Sequence, residues 1–110
     1  MVQIDDIINT GESMNLCVNQ LQASGAKKVY AWATHGVFGN HSKEAINKLQ
    51  KCDALEYALI SNTVNTQGEL PSKIKRLNVA PLMAEAIARS LHNESITGIL
   101  NLDMIGMKKD

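Results

Sequence analysis

Six residues at positions 28–33, Lys-Val-Tyr-Ala-Trp-Ala, are apolar almost throughout, and this run constrains the fold more than any other part of the chain. A strand without polar alternation offers no face to water, so it reads as an interior strand of a parallel sheet covered on both faces. Parallel neighbours need crossover connections, and the flanking segments supply them. Upstream, Met14, Cys17, Val18 and Leu21 recur at three- and four-residue spacing, which predicts a helix over 13–24 ended by Gly25. Downstream, Ser42 is an N-cap, and Ala45, Ile46 and Leu49 form the buried stripe of a second helix.

The alternation continues along the rest of the chain. Val2 to Ile4 is the stub of a strand, Leu55 to Ile60 a third strand, and Ile74, Leu77 and Val79 mark a fourth. Residues 62–72 hold a Gly, a Pro and several polar residues and read as a loop. Pro81 suits the first position of a helix whose apolar stripe is Met83, Ala86, Ile87 and Leu91. Ser95 caps one last short turn, Ile96 to Leu100, and residues 101–110 form a frayed tail. Strands and helices in alternation are the mark of an α/β domain on a mostly parallel sheet, and 110 residues suffice for one small domain.

Composition removes several functions. Eleven basic and eleven acidic residues cancel, and no basic stripe with interleaved aromatics is present, which argues against nucleic acid as the main partner. No apolar run approaches the ~20 residues of a membrane span, and no signal peptide is visible. Cys17 and Cys52 fit neither a C-x-x-C motif nor a disulfide framework, so a reduced cytoplasmic setting is the default. No His-x-x-x-His pair or Cys cluster suggests zinc. His35 reads as a loop histidine bonded to backbone, His41 and His92 as surface residues, Trp32 as core and Cys17 as an inert core thiol. Glu85 and Arg89, four apart, read as an exposed helix pair.

The chemistry gathers near the start, in Ile4-Asp5-Asp6-Ile7-Ile8-Asn9-Thr10-Gly11-Glu12-Ser13. Two carboxylates at the end of a short strand can hold sugar hydroxyls. The Thr-Gly-x-Ser turn that follows aims backbone N–H groups and hydroxyls at an anion on a helix N-terminus. Gly11 lets the backbone approach a phosphate closely, and Ser13 can cap the helix. A ligand that is both polyol and phosphate, such as ribose 5-phosphate, suits both halves.

Asp5-Asp6-x-x-Asn9-Thr10-Gly11-Glu12-Ser13 resembles a phosphoribosyl-pyrophosphate binding signature. Residues 25–38, from Gly-Ala-Lys-Lys through Thr34-His35-Gly36 to Val37-Phe38, narrow the resemblance to ribose-phosphate pyrophosphokinases, also called phosphoribosyl pyrophosphate synthetases. Ser61-Asn62-Thr63-Val64, the run from Val79 to Ile87, and His92-Asn93-Glu94-Ser95-Ile96 agree, in order and nearly end to end.

The resemblance implies a type I phosphoribosyltransferase-like fold, doubly wound, with a mostly parallel sheet and helices on both faces. Residues 1–100 are expected to be the C-terminal domain of such an enzyme, incomplete on its N-terminal side, with 101–110 as its tail. The family transfers the pyrophosphoryl group of ATP to ribose 5-phosphate, using magnesium, and forms homo-oligomers in the cytoplasm. Carried over by position, Asp5 and Asp6 lie at the ribose hydroxyls, and Asn9, Thr10, Gly11, Glu12 and Ser13 surround the 5-phosphate. Ser95 and Thr97 fall where the family's tail helps hold a regulatory phosphate or nucleotide. The adenine site, the basic catalytic loop and most magnesium ligands lie upstream in the family. The chain alone is therefore expected to carry no catalytic residue and no metal site, and to be inactive.

Two positions depart from the family pattern, which commonly has Asp at position 9 and a small residue at position 12. Asn9 keeps a hydrogen-bonding side chain but loses a charge. Glu12 pointing inward, ~4 Å from a like charge at an effective dielectric of ~20, costs on the order of 4 kcal/mol, so it is expected to face solvent. A non-catalytic subunit that assembles with active synthetases is the alternative reading, and a phosphoribosyltransferase that consumes phosphoribosyl pyrophosphate ranks last.

Overall fold

A computed structural model describes residues 1–39, 42–66 and 69–100. Two compact units divide the chain, Met1–Leu77 and the part from Asn78 onward. The first runs β1 (Val2–Ile8), α1 (Glu12–Ala23), β2 (Val29–Gly36), α2 (Ser42–Gln50), β3 (Leu55–Ser61) and β4 (Ile74–Leu77). Its four strands lie side by side in chain order, every neighbouring pair parallel. This is the parallel α/β arrangement that the alternation of segments predicts.

Packing follows the periodicity. Val29, Ala31 and Ala33 of β2 turn one way with Leu55, Ala58 and Ile60 of β3, and all are buried. Met14 and Val18 of α1 and Ala45 and Leu49 of α2 complete that core. Fully burying side chains such as Leu49, Leu55 or Val18 is worth about 1.5–3 kcal/mol each. Ile46 only packs against its margin. Cys17 is half-buried and Cys52 buried.

The opposite face differs from expectation. Tyr30 and Trp32 are half-buried, not enclosed, because neither α1 nor α2 covers that side of β2. With Val2, Ala31, Tyr57 and Leu59 they line an apolar depression of about 340 Å³. Tyr30 and Tyr57 meet edge to face at 5.1 Å, and the Lys75 ammonium stands 4.6 Å from the Tyr57 ring centroid.

Gly25, at φ +100°, ends α1 as predicted: Ala26 N–H donates to Leu21 O and Gly25 N–H to Gln22 O, at 3.0 and 2.9 Å. β1 is longer than a stub and carries both aspartates within it, because its backbone keeps pairing with β2 as far as Ile8 and Gly36. Val79 is not part of β4; its helical backbone makes it the N-cap residue of the next helix.

In the second unit, α3 (Ala80–Leu91) has Pro81 in its first turn and leads to a 3₁₀ turn at Thr97–Leu100. Thr97 N–H donates to Ser95 Oγ at 3.2 Å, so Ser95 caps that turn. The predicted α3 stripe is not a core: Met83, Ile87 and Leu91 are exposed, Ala86 is half-buried, and the helix buries no residue. Arg89 bonds Glu85 at 2.8 Å one turn away. Residues 101–110, and with them the expected tail, lie outside the described residues, as does His41.

Candidate functional site

The carboxyl ends of parallel strands are where an α/β sheet gathers loops and helix N-termini, and Asn9 to Ser13 fall there, while Asp5 and Asp6 lie within β1. Asp5 and Asp6 are adjacent in β1, with Asp5 in register with Ala33 of β2. Neighbours on a strand point to opposite faces, so the two carboxylates diverge. Asp5 is half-buried, Asp6 exposed, and Asp6 N–H donates to Asp5 Oδ1 at 2.9 Å.

Past Ile8 the chain turns through Asn9, Thr10 and Gly11 into α1. Gly11 is the cap residue, at φ +73° and ψ 0°, and no side chain caps the helix. Ser13 does not cap it, because it already lies inside the first turn. Thr10 Oγ1 accepts a 3.4 Å bond from Glu12 N–H. An uncapped first turn presents its remaining N–H groups and the positive end of the helix dipole to whatever lies before it. Nothing with a β-carbon fits easily at position 11, because that atom would stand 3.3 Å from Ala45 O and 3.5 Å from the Leu49 side chain.

The exit of β2 closes one side of this turn. Val37 and Phe38 N–H both donate to Ile8 O, at 2.9 and 3.1 Å. Phe38 holds φ +48° while fully buried, a conformation that a bulky residue adopts only when its surroundings impose it. The Asn9 side chain lies against Gly39, where a β-carbon would stand 2.7 Å from its Oδ1.

Two partnerships join residues far apart in sequence. Glu12 Oε1 is 3.0 Å from the Lys48 ammonium of α2, so the carboxylate that departs from the motif is paired with a cation. His35 Nδ1 lies 2.6 Å from Thr63 Oγ1, a side chain where backbone was expected. Thr63 Oγ1 is in turn 2.8 Å from Ser61 Oγ, which donates to Thr34 O at 2.5 Å. Neither partnership was legible in the sequence, since each spans 28 residues or more. Ser95 and Thr97 belong to the second unit.

Among the described residues, no three His, Cys, Asp or Glu side chains gather where they could hold a metal ion. The apolar depression lined by Tyr30, Trp32 and Tyr57 contains none of the predicted site residues and is a separate feature.

The family model for the phosphoribosyl synthetase-associated domain matches residues 1–101. The chain belongs to that family. Among curated relatives, the ribose-phosphate pyrophosphokinase of Wolinella succinogenes is 39% identical over 99 residues, which is 90% of this chain and 30% of the relative. That of Halalkalibacterium halodurans is 42% identical over 98 residues, 88% of this chain and 29% of the relative. The crystal structure of phosphoribosylpyrophosphate synthetase from Mycobacterium smegmatis superposes with a TM-score of 0.75 at 32% identity, covering 84% of this chain and 30% of that one. This member of the phosphoribosyl synthetase-associated domain family therefore spans about 30% of the length of the enzymes it matches.

Proposed function

We propose that the chain is the C-terminal, ribose 5-phosphate-binding part of a ribose-phosphate pyrophosphokinase. Asp5 and Asp6 contact the ribose hydroxyls, and Asn9, Thr10, Gly11, Glu12 and Ser13 surround the 5-phosphate. The supporting observation is the turn at Gly11, which leaves the first turn of α1 without a side-chain cap in a chain of this family. A dianion seated there gains backbone N–H donors and the favourable end of the helix dipole.

The parent reaction moves the pyrophosphoryl group of ATP to the anomeric hydroxyl, giving phosphoribosyl pyrophosphate and AMP. Such chemistry is mainly positioning and charge stabilisation. The phosphate is a remote handle whose binding energy fixes the anomeric oxygen for attack. Magnesium supplies charge neutralisation there, and in this reading most of its ligands, the nucleotide site and the basic catalytic loop belong to the rest of such an enzyme. The chain alone does not turn over. The parent is a cytoplasmic homo-oligomer in which Ser95 and Thr97 serve a regulatory phosphate site.

Titration with ribose 5-phosphate, followed by amide NMR shifts, tests the binding role. Shifts centred on Asp5 to Ser13 are expected. A folded chain that stays silent there rejects this reading in favour of the non-catalytic subunit, to which Asn9 and Glu12 lend some support.

A further inference from the structure

We propose that Lys48 is a positioning residue of the phosphate loop: it holds the Glu12 carboxylate against α2 and so keeps it off the N–H groups that the ligand's phosphate takes. This inference rests on the ribose 5-phosphate reading of the turn.

Glu12 is the first residue of α1, and that helix has no side-chain cap. A carboxylate in a first turn is drawn to the same orphan N–H groups, and to the same end of the dipole, as a bound phosphate. Left free, Glu12 is both a competitor for those donors and a like charge beside a dianion. In the structure its Oε1 is instead engaged by Lys48 Nζ at 3.0 Å.

The placement of Lys48 is not an accident of a long surface side chain. Ala45 and Leu49, three residues before it and one after, are fully buried. Both lie against Gly11, at the 3.3 and 3.5 Å that a β-carbon there would measure. The helix is therefore anchored on the turn itself, and the ammonium is presented beside it. The pair is partly solvent-exposed, with 42% of the Lys48 side chain and 65% of that of Glu12 accessible, so its influence is moderate and weakened by salt.

The test compares ribose 5-phosphate affinity, by amide shifts in low salt, across Lys48→Gln, Lys48→Arg, Glu12→Gln and the Glu12→Gln/Lys48→Gln double variant of the full chain. Lys48→Gln is expected to weaken binding about two- to fivefold, and Lys48→Arg to restore it. Glu12→Gln removes the competing charge and serves as the background in which the role of Lys48 is read. In the Glu12→Gln background, Lys48→Gln is expected to change nothing. An equal loss in both backgrounds overturns the proposal and makes Lys48 a direct phosphate ligand. No loss from Lys48→Gln while the unchanged chain binds also overturns it. If the unchanged chain gives no shifts at Asp5 to Ser13, the ribose 5-phosphate reading has failed, and this inference falls with it.

Discussion

A β-carbon at Gly11 would stand 3.3 Å from the carbonyl oxygen of Ala45, so the turn between β1 and α1 rests on the backbone of α2. The glycine is required twice over, by its φ of +73° and by that neighbour. A backbone carbonyl inside a packed helix cannot step aside as a flexible side chain can.

Gly11→Ala is expected to cost about 1–3 kcal/mol, the sum of a left-handed backbone for a residue with a β-carbon and a tight contact. It should also shift the turn proposed to seat the phosphate. Urea unfolding measures the first effect and a ribose 5-phosphate titration the second. An unchanged midpoint would mean that the turn relaxes freely and α2 does not brace it.

Gly36 closes β2 in a tighter place. A β-carbon there would meet Ile60 Cδ1 at 2.5 Å and the Phe38 ring at 2.9 Å, both in the core. Gly36→Ala should destabilise the chain by about 1–3 kcal/mol through overpacking. Ile60→Val removes the Cδ1 atom nearest the intruder, so the double variant should be more stable than the sum of the two single changes predicts. Additive midpoints would place the strain on the Phe38 side instead.

The hydroxyl chain at the ends of β2 and β3 makes a graded prediction. Thr63→Val removes the partner of His35 Nδ1 and one neighbour of Ser61, at an exposed position, and should cost about 1 kcal/mol. It should also move the ¹⁵N resonance of His35 Nδ1. Ser61→Ala removes a buried hydroxyl that donates to Thr34 O and accepts from Thr63 N–H, so it should cost more, about 1–3 kcal/mol. The reverse order in denaturant midpoints would show that Thr63, not Ser61, anchors the cluster.

Elements whose evidence is local were legible in the sequence. The stripe of Met14 and Val18 and the stop at Gly25 placed α1 within a residue, because helix periodicity and a left-handed terminus are written in neighbouring positions. β1 was read too short, since Asp5 and Asp6 break an apolar pattern although their backbones still pair with β2. The run at 28–33 suggested cover on both faces. Yet Tyr30 and Trp32 sit on a face that α1 and α2 leave open, and an apolar run cannot say which element covers which side. At the site, the turn residues were legible from their spacing. Their supports were not: Lys48 is 36 residues from Glu12 and Thr63 is 28 from His35, and only the parallel topology brings them together.

Gly25 and Asn93 isolate the purely conformational term. Each follows a helix in a left-handed conformation, at φ +100° and +54°, and each helix ends with the same pair of backbone bonds. For α1 these are Ala26 N–H to Leu21 O and Gly25 N–H to Gln22 O; for α3, Glu94 N–H to Arg89 O and Asn93 N–H to Ser90 O. A β-carbon on Gly25 would meet nothing within 4 Å, in contrast to Gly11 and Gly36. Gly25→Ala should therefore cost only the backbone penalty, about 1–2 kcal/mol, with no clash for a second-site change to relieve. Asn93→Gly should act in the opposite sense and stabilise α3 by up to about 1 kcal/mol, because Asn tolerates this conformation less well than Gly. Urea midpoints read the first change, and amide hydrogen exchange along Ala80–Leu91 reads the second. Loss of protection in α3 after Asn93→Gly would show that the asparagine side chain, and not its backbone angle, holds that terminus.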